Sequence, residues 1–309
     1  MGLISRALDS ADTYVKKFTK KGQDFRDSDR VNLNDLKSVC LALGPYRNLT
    51  TLTASILFLH PNCQVLNHAG KRIFGDRKLD FLSDYSQDKF ENFARYAIHI
   101  SEGGERGNYG GSITHSHAFR DQSDIKDVWD ELDLNLKKQE IHSLFWKESQ
   151  RTANRIRKKN VDLDNIFRKN ERLRFLLPVR NPMDSAMSNM KTGHVRHLRG
   201  VNKRSDIDHV LEAILDEFAW FAELRQKHPD RFFAYFAHEA GRESLKEIAN
   251  FLGLDLNETW LGYTEGIFVI KSNYTHHKEL IAHFRHMVNE KFAPYPQFQE
   301  KLLGFVQEG

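Results

Sequence analysis

Cysteine is scarce in this chain. Cys40 and Cys63 are the only two in 309 residues, and each lies in an apolar run without metal-ligand or redox spacing. That excludes a disulfide scaffold and makes a reducing compartment the expectation. Long hydrophobic runs are missing too, and no stretch approaches the ~20 apolar residues of a membrane-spanning helix. Asp9, Asp12 and several lysines stand where a signal peptide has its apolar centre, so a cytoplasmic location is expected. Neither sign of charge dominates. The 46 Lys+Arg against 42 Asp+Glu leave a formal +4, and no nucleic-acid recognition motif accompanies it, which speaks against a nucleic-acid partner. With 40% hydrophobic and 28% charged residues, the chain falls in the range of an ordinary globular protein.

What is present is an alternation of short apolar runs and helical periodicities. Residues 4–18 place Ile4, Leu8, Ala11, Val15 and Phe18 on one helical face. SVCLAL (38–43), CQVLN (63–67), LRFLLPV (173–179) and RFFAYF (231–236) read as buried strands. Helices are expected over 51–59, 88–100, 206–226, 242–251, 277–290 and 295–306. SEGGERGNYGGS (101–112) reads as loop, with five glycines. Residues 124–159 are polar with a helical period, and Trp129, Leu132, Leu136, Ile141 and Leu144 are its candidate inward positions. The whole reads as one α/β domain over 1–309, a three-layer sandwich around a central parallel sheet, with a helical insertion at about 118–170.

In such a sheet, ligands bind beyond the carboxyl ends of the strands. Two strand-to-helix turns stand out there. Gly44-Pro45-Tyr46-Arg47-Asn48-Leu49-Thr50-Thr51 offers free backbone N–H groups, a helix dipole, a guanidinium and two hydroxyls to an anion. Taken alone it reads as an ordinary turn with a capping threonine. It lacks the Gly-Lys-[Ser/Thr] ending of nucleotide hydrolases. In Arg180-Asn181-Pro182-Met183-Asp184-Ser185-Ala186-Met187-Ser188, Asn181 is the expected N-cap and Pro182 the first helical residue. Arg180 and Ser188 could converge on one anion there, or Arg180 could pair with Asp184 while Ser188 packs.

Together the two turns resemble the PAPS-dependent sulfotransferases. RNLTTLTASILFLHP (47–61) resembles the family's 5′-phosphosulfate loop, RNPMDSAMS (180–188) its 3′-phosphate motif, and FLGL (251–254) the close of a later helix. The resemblance covers about half the chain, chiefly 38–68 and 172–254. It implies a P-loop-like sulfotransferase fold and 3′-phosphoadenosine 5′-phosphosulfate (PAPS) as donor co-substrate, without a metal. By motif position, Arg47, Asn48, Leu49, Thr50, Thr51 and Leu52 would hold the 5′-phosphate and sulfuryl group. Arg180 and Ser188 would hold the 3′-phosphate, with Lys271 completing that pocket. Leu49 departs from the glycine usual before Thr-Thr, which would narrow the cradle.

Sulfuryl transfer needs a group to take the acceptor's proton, and His117, His115 and His68 are the candidates, in that order. The acceptor class is a hydroxyl or amine, a carbohydrate among the options. Of the two basic stretches, Arg151 to Arg174 reads as a solvated helix face. Lys191 to Arg204 lies beside the presumed donor site and could close over it. A nucleotide-dependent kinase and a non-catalytic nucleotide-binding module are the alternative readings.

Overall fold

The computed structural model describes residues 23–104, 110–272 and 274–306. The amphipathic stretch at 4–18 and part of the glycine-rich segment lie outside the described residues. Six strands form one sheet: β1 (Ser38–Ala42), β2 (Cys63–Asn67), β3 (Gly111–Ser112), β4 (Ser143–Lys147), β5 (Leu173–Val179) and β6 (Phe232–Phe236). Their spatial order is β3-β2-β4-β1-β5-β6. All neighbours pair in parallel except β2 with β3.

Side chains alternate across a strand, and here the alternation divides the core into two layers. Val39 and Leu41 of β1 join one cluster with Leu144, Trp146, Phe175 and Phe232, while Cys40 and Ala42 join another with Phe145, Leu176 and Tyr235. Both faces are covered, which is why the central strands read as unbroken apolar runs. Helices α3 (Gln87–Ser101), α5 (Ser149–Lys158), α7 (Pro182–Thr192), α8 (Ile207–Lys227) and α11 (Lys278–Lys291) contribute to the first cluster. On the second face lie α1 (Thr50–Phe58), α4 (Asp124–Glu131), α9 (Arg242–Leu252) and α10 (Glu258–Glu265). In chain order, α2 (Gly70–Phe74), α6 (Leu163–Lys169) and α12 (Pro296–Leu303) complete the set among the described residues. No helix among them is long and apolar enough to cross a membrane.

The expected helical insertion at 118–170 is corrected. SLFWK (143–147) is a strand between β1 and β2, buried at all five positions. Leu144 therefore faces the core from a strand, and the helix around Trp129 ends at Glu131. A run this short fits a buried strand or a slice of helix equally well by periodicity alone. Its polar neighbours extended the helical reading across it. Trp146 packs its ring 5.0 Å from Phe93 and 5.2 Å from Phe74. The glycine-rich segment also ends in a strand rather than loop, as Gly111–Ser112 pairs with Asn67 and Leu66.

The solvated face expected from Arg151 onward is likewise corrected along α5. Arg155 pairs with the buried Asp80, and Arg157 with the buried Glu217 while its guanidinium lies 4.4 Å from the Trp220 ring centre. Buried carboxylates need such partners, since an uncompensated charge in the interior is costly.

Lys138, in the connection leading to β4, is the exception to this pairing. It is 4% exposed, its Nζ lies 4.4 Å from the Phe58 ring centre, and Nζ has no hydrogen-bond partner among the described residues. Burial pulls its ammonium down to about 8 from the ordinary lysine range. The unfolded chain keeps this proton up to pH ~10.4, so stability should rise as pH climbs from about 8 toward 10.4. Lys138→Met is expected to stabilise the fold by about 1–3 kcal/mol at pH 7. Urea denaturation should show that gain fading by pH 10, and an equal gain at both pH values would contradict it.

Candidate functional site

The carboxyl ends of β1, β2, β4 and β5 open on one cavity of about 530 Å³. This is where an open parallel sheet with a reversal of strand order leaves a crevice. The turn after β1 supplies its floor. Gly44 begins the turn at φ +93°, and a Cβ there would fall 2.3 Å from Leu177 Cδ1 on β5, so only glycine fits. Arg47 and Leu49 follow at φ 63° and 62°, left-handed conformations that cost a non-glycine residue about 1–2 kcal/mol. Leu49 thus stands at a position whose backbone suits glycine, and it is the N-cap of α1 with no side chain to cap the first N–H groups.

Hydrogen bonds tie this turn to the one after β5. The side chain of Asn48, fully buried, donates to the Pro178 carbonyl and accepts from the Arg180 N–H at 2.9 Å. Arg47 Nε donates to Ser188 Oγ at 2.9 Å, and Asn189 Nδ2 donates to the Tyr46 carbonyl at 2.8 Å. The Asn48 side chain therefore joins backbone to backbone rather than facing the cavity with a donor. Ser188 is buried, lies outside the lining and holds Arg47. Asn181 caps α7 as its type predicts, accepting from the Met183 N–H at 3.0 Å.

Residues 47–52, Arg180, His68 and His117 all contribute to the lining. His115, two residues from His117, is exposed and outside it, and so is Lys271. Arg180 also pairs with Asp184 at 3.5 Å, the partner its spacing allows. His68 follows β2 directly, at φ 63°, and its carbonyl accepts the indole N–H of Trp146. The buried strand β4 thereby fixes a cavity residue just past the end of β2.

Six further residues complete the wall. Tyr46, His194, Arg196 and His197 line it on one side, and Arg151 turns into it from the start of α5. Lys147, 8% exposed at the end of β4, lines it as well and donates to Asn67 Oδ1 at 3.2 Å. Sequence reasoning passed over Lys147 because it passed over the strand that carries it. Arg151, His194, Arg196 and His197 lay within the basic stretches, where composition could not separate inward from outward side chains. Tyr46 packs edgewise against two imidazoles, with centroids 5.4 Å from His194 and 5.2 Å from His197.

No carboxylate is among the described lining residues, while Arg47, Lys147, Arg151, Arg180 and Arg196 are. Glu148 offsets part of this from below. It is 1% exposed, accepts from the Gly70 N–H at 3.0 Å and lies 3.6 Å from Arg151. The imidazoles register the field. His194 is pushed below the usual histidine range by burial and then by Arg47 and Arg196, and His197 by burial and then by Arg196 and Arg151. Such a wall favours a ligand with several negative charges.

No protein family model matches the chain, and no curated protein does. Among solved structures, it is similar to the mouse sulfotransferase SULT7A1 complexed with PAP, at 12% identity and a TM-score of 0.42, covering 89% of this chain and 90% of that one. It is similar to the sulfotransferase domain of the Synechococcus PCC 7002 olefin synthase at 15% identity and a TM-score of 0.41, covering 88% and 95%. Sulfotransferase STF9 from Mycobacterium avium gives 12% identity and a TM-score of 0.42, covering 89% and 79%.

Proposed function

We propose that the cavity takes PAPS and that the chain transfers its sulfuryl group to a hydroxyl or amine acceptor, with carbohydrate acceptors the first to try. One observation carries this reading. Two strand-to-helix turns, each bringing a guanidinium, open on a single cavity whose described lining holds no carboxylate. A nucleoside with phosphate groups at both ends suits such a pair, because each end meets its own fixed cation.

The residues fit the donor in chemical type. The first N–H groups of α1 lack a side-chain cap, and they with Thr50 and Thr51 would cradle the 5′-phosphosulfate. Arg47, held by Ser188, would stabilise charge on the bridging oxygen as the sulfur–oxygen bond breaks. Arg180 would hold the 3′-phosphate. The acceptor oxygen or nitrogen bonds to sulfur, its proton passes to an imidazole, and adenosine 3′,5′-bisphosphate leaves. Of the three histidines weighed, His68 and His117 line the cavity, which supports either as the base. Lys147 and Arg151 add charge on the β4 side.

Adenosine 3′,5′-bisphosphate at 100 times its Kd should raise the unfolding free energy by about 2.7 kcal/mol, visible as a thermal shift. Arg180→Ala should weaken that affinity by about 1.5–3 kcal/mol, roughly 10- to 150-fold. Unchanged affinity would overturn the assignment, and preference for ATP with Mg²⁺ would move it to a kinase. Replacing the true base by Gln, at His68 or His117, should cut turnover by about 10²–10⁴-fold with the bisphosphate Kd unchanged. If both variants keep full turnover, neither imidazole is the base. Leu49→Gly should relieve backbone strain, raising the urea midpoint by the equivalent of up to about 1 kcal/mol and tightening donor binding. A lower midpoint together with weaker binding would show that the leucine side chain is needed there.

A further inference from the structure

Arg180 reaches the cavity as the end of a chain of contacts that begins far away in sequence. Asp184, one turn into α7, is 2% exposed and is flanked by two basic side chains. Its Oδ2 lies 3.5 Å from Arg180 Nη2, and its Oδ1 accepts from His276 Nε2 at 2.8 Å. The His276 side chain is itself only 8% exposed. The Tyr274 ring lies beneath the guanidinium, with 5.6 Å from Arg180 Cζ to the ring centre, and stacks on the His276 ring at 13°. Both residues belong to the segment that leads into α11, which packs on α8 as α8 packs on α7.

A free arginine side chain surrenders its rotamer freedom when a ligand immobilises it. A guanidinium already fixed by a carboxylate on one edge and an aromatic ring on one face has lost that freedom beforehand, so more of its interaction with an anion appears as affinity. Asp184 can do this only if its own carboxylate is held. Its burial leaves the His276 imidazole as the group that fixes Oδ1 and shares the charge.

We propose that His276 is a positioning residue for Arg180, acting through Asp184, and that the Tyr274–His276 segment is a strap that presents this guanidinium to the cavity. The proposal rests on the reading of Arg180 as an anion contact. Its Tyr274 and His276 lie outside both turn motifs.

The test is a double-mutant cycle joining His276→Ala and Arg180→Ala, read by calorimetric titration with adenosine 3′,5′-bisphosphate and with inorganic pyrophosphate. ¹⁵N NMR of the Arg180 guanidinium in the free protein runs beside it. His276→Ala should weaken anion binding roughly tenfold in the wild-type background and have no further effect once Arg180 is alanine. His276→Gln, which keeps an N–H for Asp184, should recover most of the loss. Rotation about the Arg180 Nε–Cζ bond should be slow in wild type and His276→Gln and fast in His276→Ala. Equal losses in both backgrounds, or an Arg180 signal indifferent to His276→Ala, would overturn the relay. If wild type binds pyrophosphate but not the bisphosphate, the nucleoside reading fails and the cycle is still read with pyrophosphate. If it binds neither anion, the donor site fails while the NMR result alone decides whether His276 holds Arg180.

Discussion

The buried side-chain amide of Asn48 is the constraint on which the rest of the cavity depends. Two loops that begin at separate strand ends meet through one carboxamide that donates to the Pro178 carbonyl and accepts from the N–H of Arg180, 132 residues along the chain. Asparagine is one of the few side chains able to do both from one planar group. Aspartate would present a second acceptor to the Pro178 carbonyl, and leucine would leave an N–H and a carbonyl unpaired in the interior at about 1–3 kcal/mol. With the loops joined there, Arg47 can reach Ser188 and Asn189 can reach Tyr46. The cavity is the space left between two loops whose backbones can no longer separate.

That joint carries a cost, visible in the backbone. Arg47, Leu49, His68 and Ala69 all adopt positive φ, and they fall on the two turns that close the cavity from β1 and β2. Strain of this kind persists only where the surroundings over-determine it. Here the surroundings are identifiable. The Asn48 and Ser188 contacts hold the first turn, while Trp146 and Glu148 hold the second through the His68 carbonyl and the Gly70 N–H. A second cost is electrostatic, because cations gathered on one wall repel one another and, after burial, add to the depression of the imidazoles beside them. An anion relieves that repulsion at the moment it binds, so the unfavourable term of the free protein becomes affinity.

How much of this was legible depended on whether the signal was local. β1 and β5 announced themselves because each apolar run ends in its own punctuation, Gly44-Pro45 and Arg180-Asn181-Pro182. The two turns that frame the cavity were therefore readable, and so was the parallel sheet between them. β4 had no such punctuation, since SLFWK runs straight into the polar start of α5 and its register could be counted into a helical stripe. Losing β4 meant losing Lys147 and the hold of Trp146 on His68. Long-range pairings were not legible at all. Nothing near Asn48 says that its amide faces inward, and nothing near His115 and His117 says which of two imidazoles two residues apart will meet the cavity. A 3-10 turn settles that, placing His117 toward it.

The arginines of α5 show why a basic run is a poor guide until the acids around it are known. Arg151, Arg155 and Arg157 look alike in sequence, yet the helix sends the first into the cavity and the others to Asp80 and Glu217. The difference lies in what each meets. Asp80 and Glu217 are buried, and each needs one cation to compensate it. Arg151 meets the edge of Glu148, at 3.6 Å, and that carboxylate is already shared with Gly70. Since α5 starts directly after β4, the strand that fixes Trp146 in the core also fixes the residue from which Arg151 projects. Packing of the sheet and placement of charge in the cavity are therefore one constraint, set at the carboxyl end of β4.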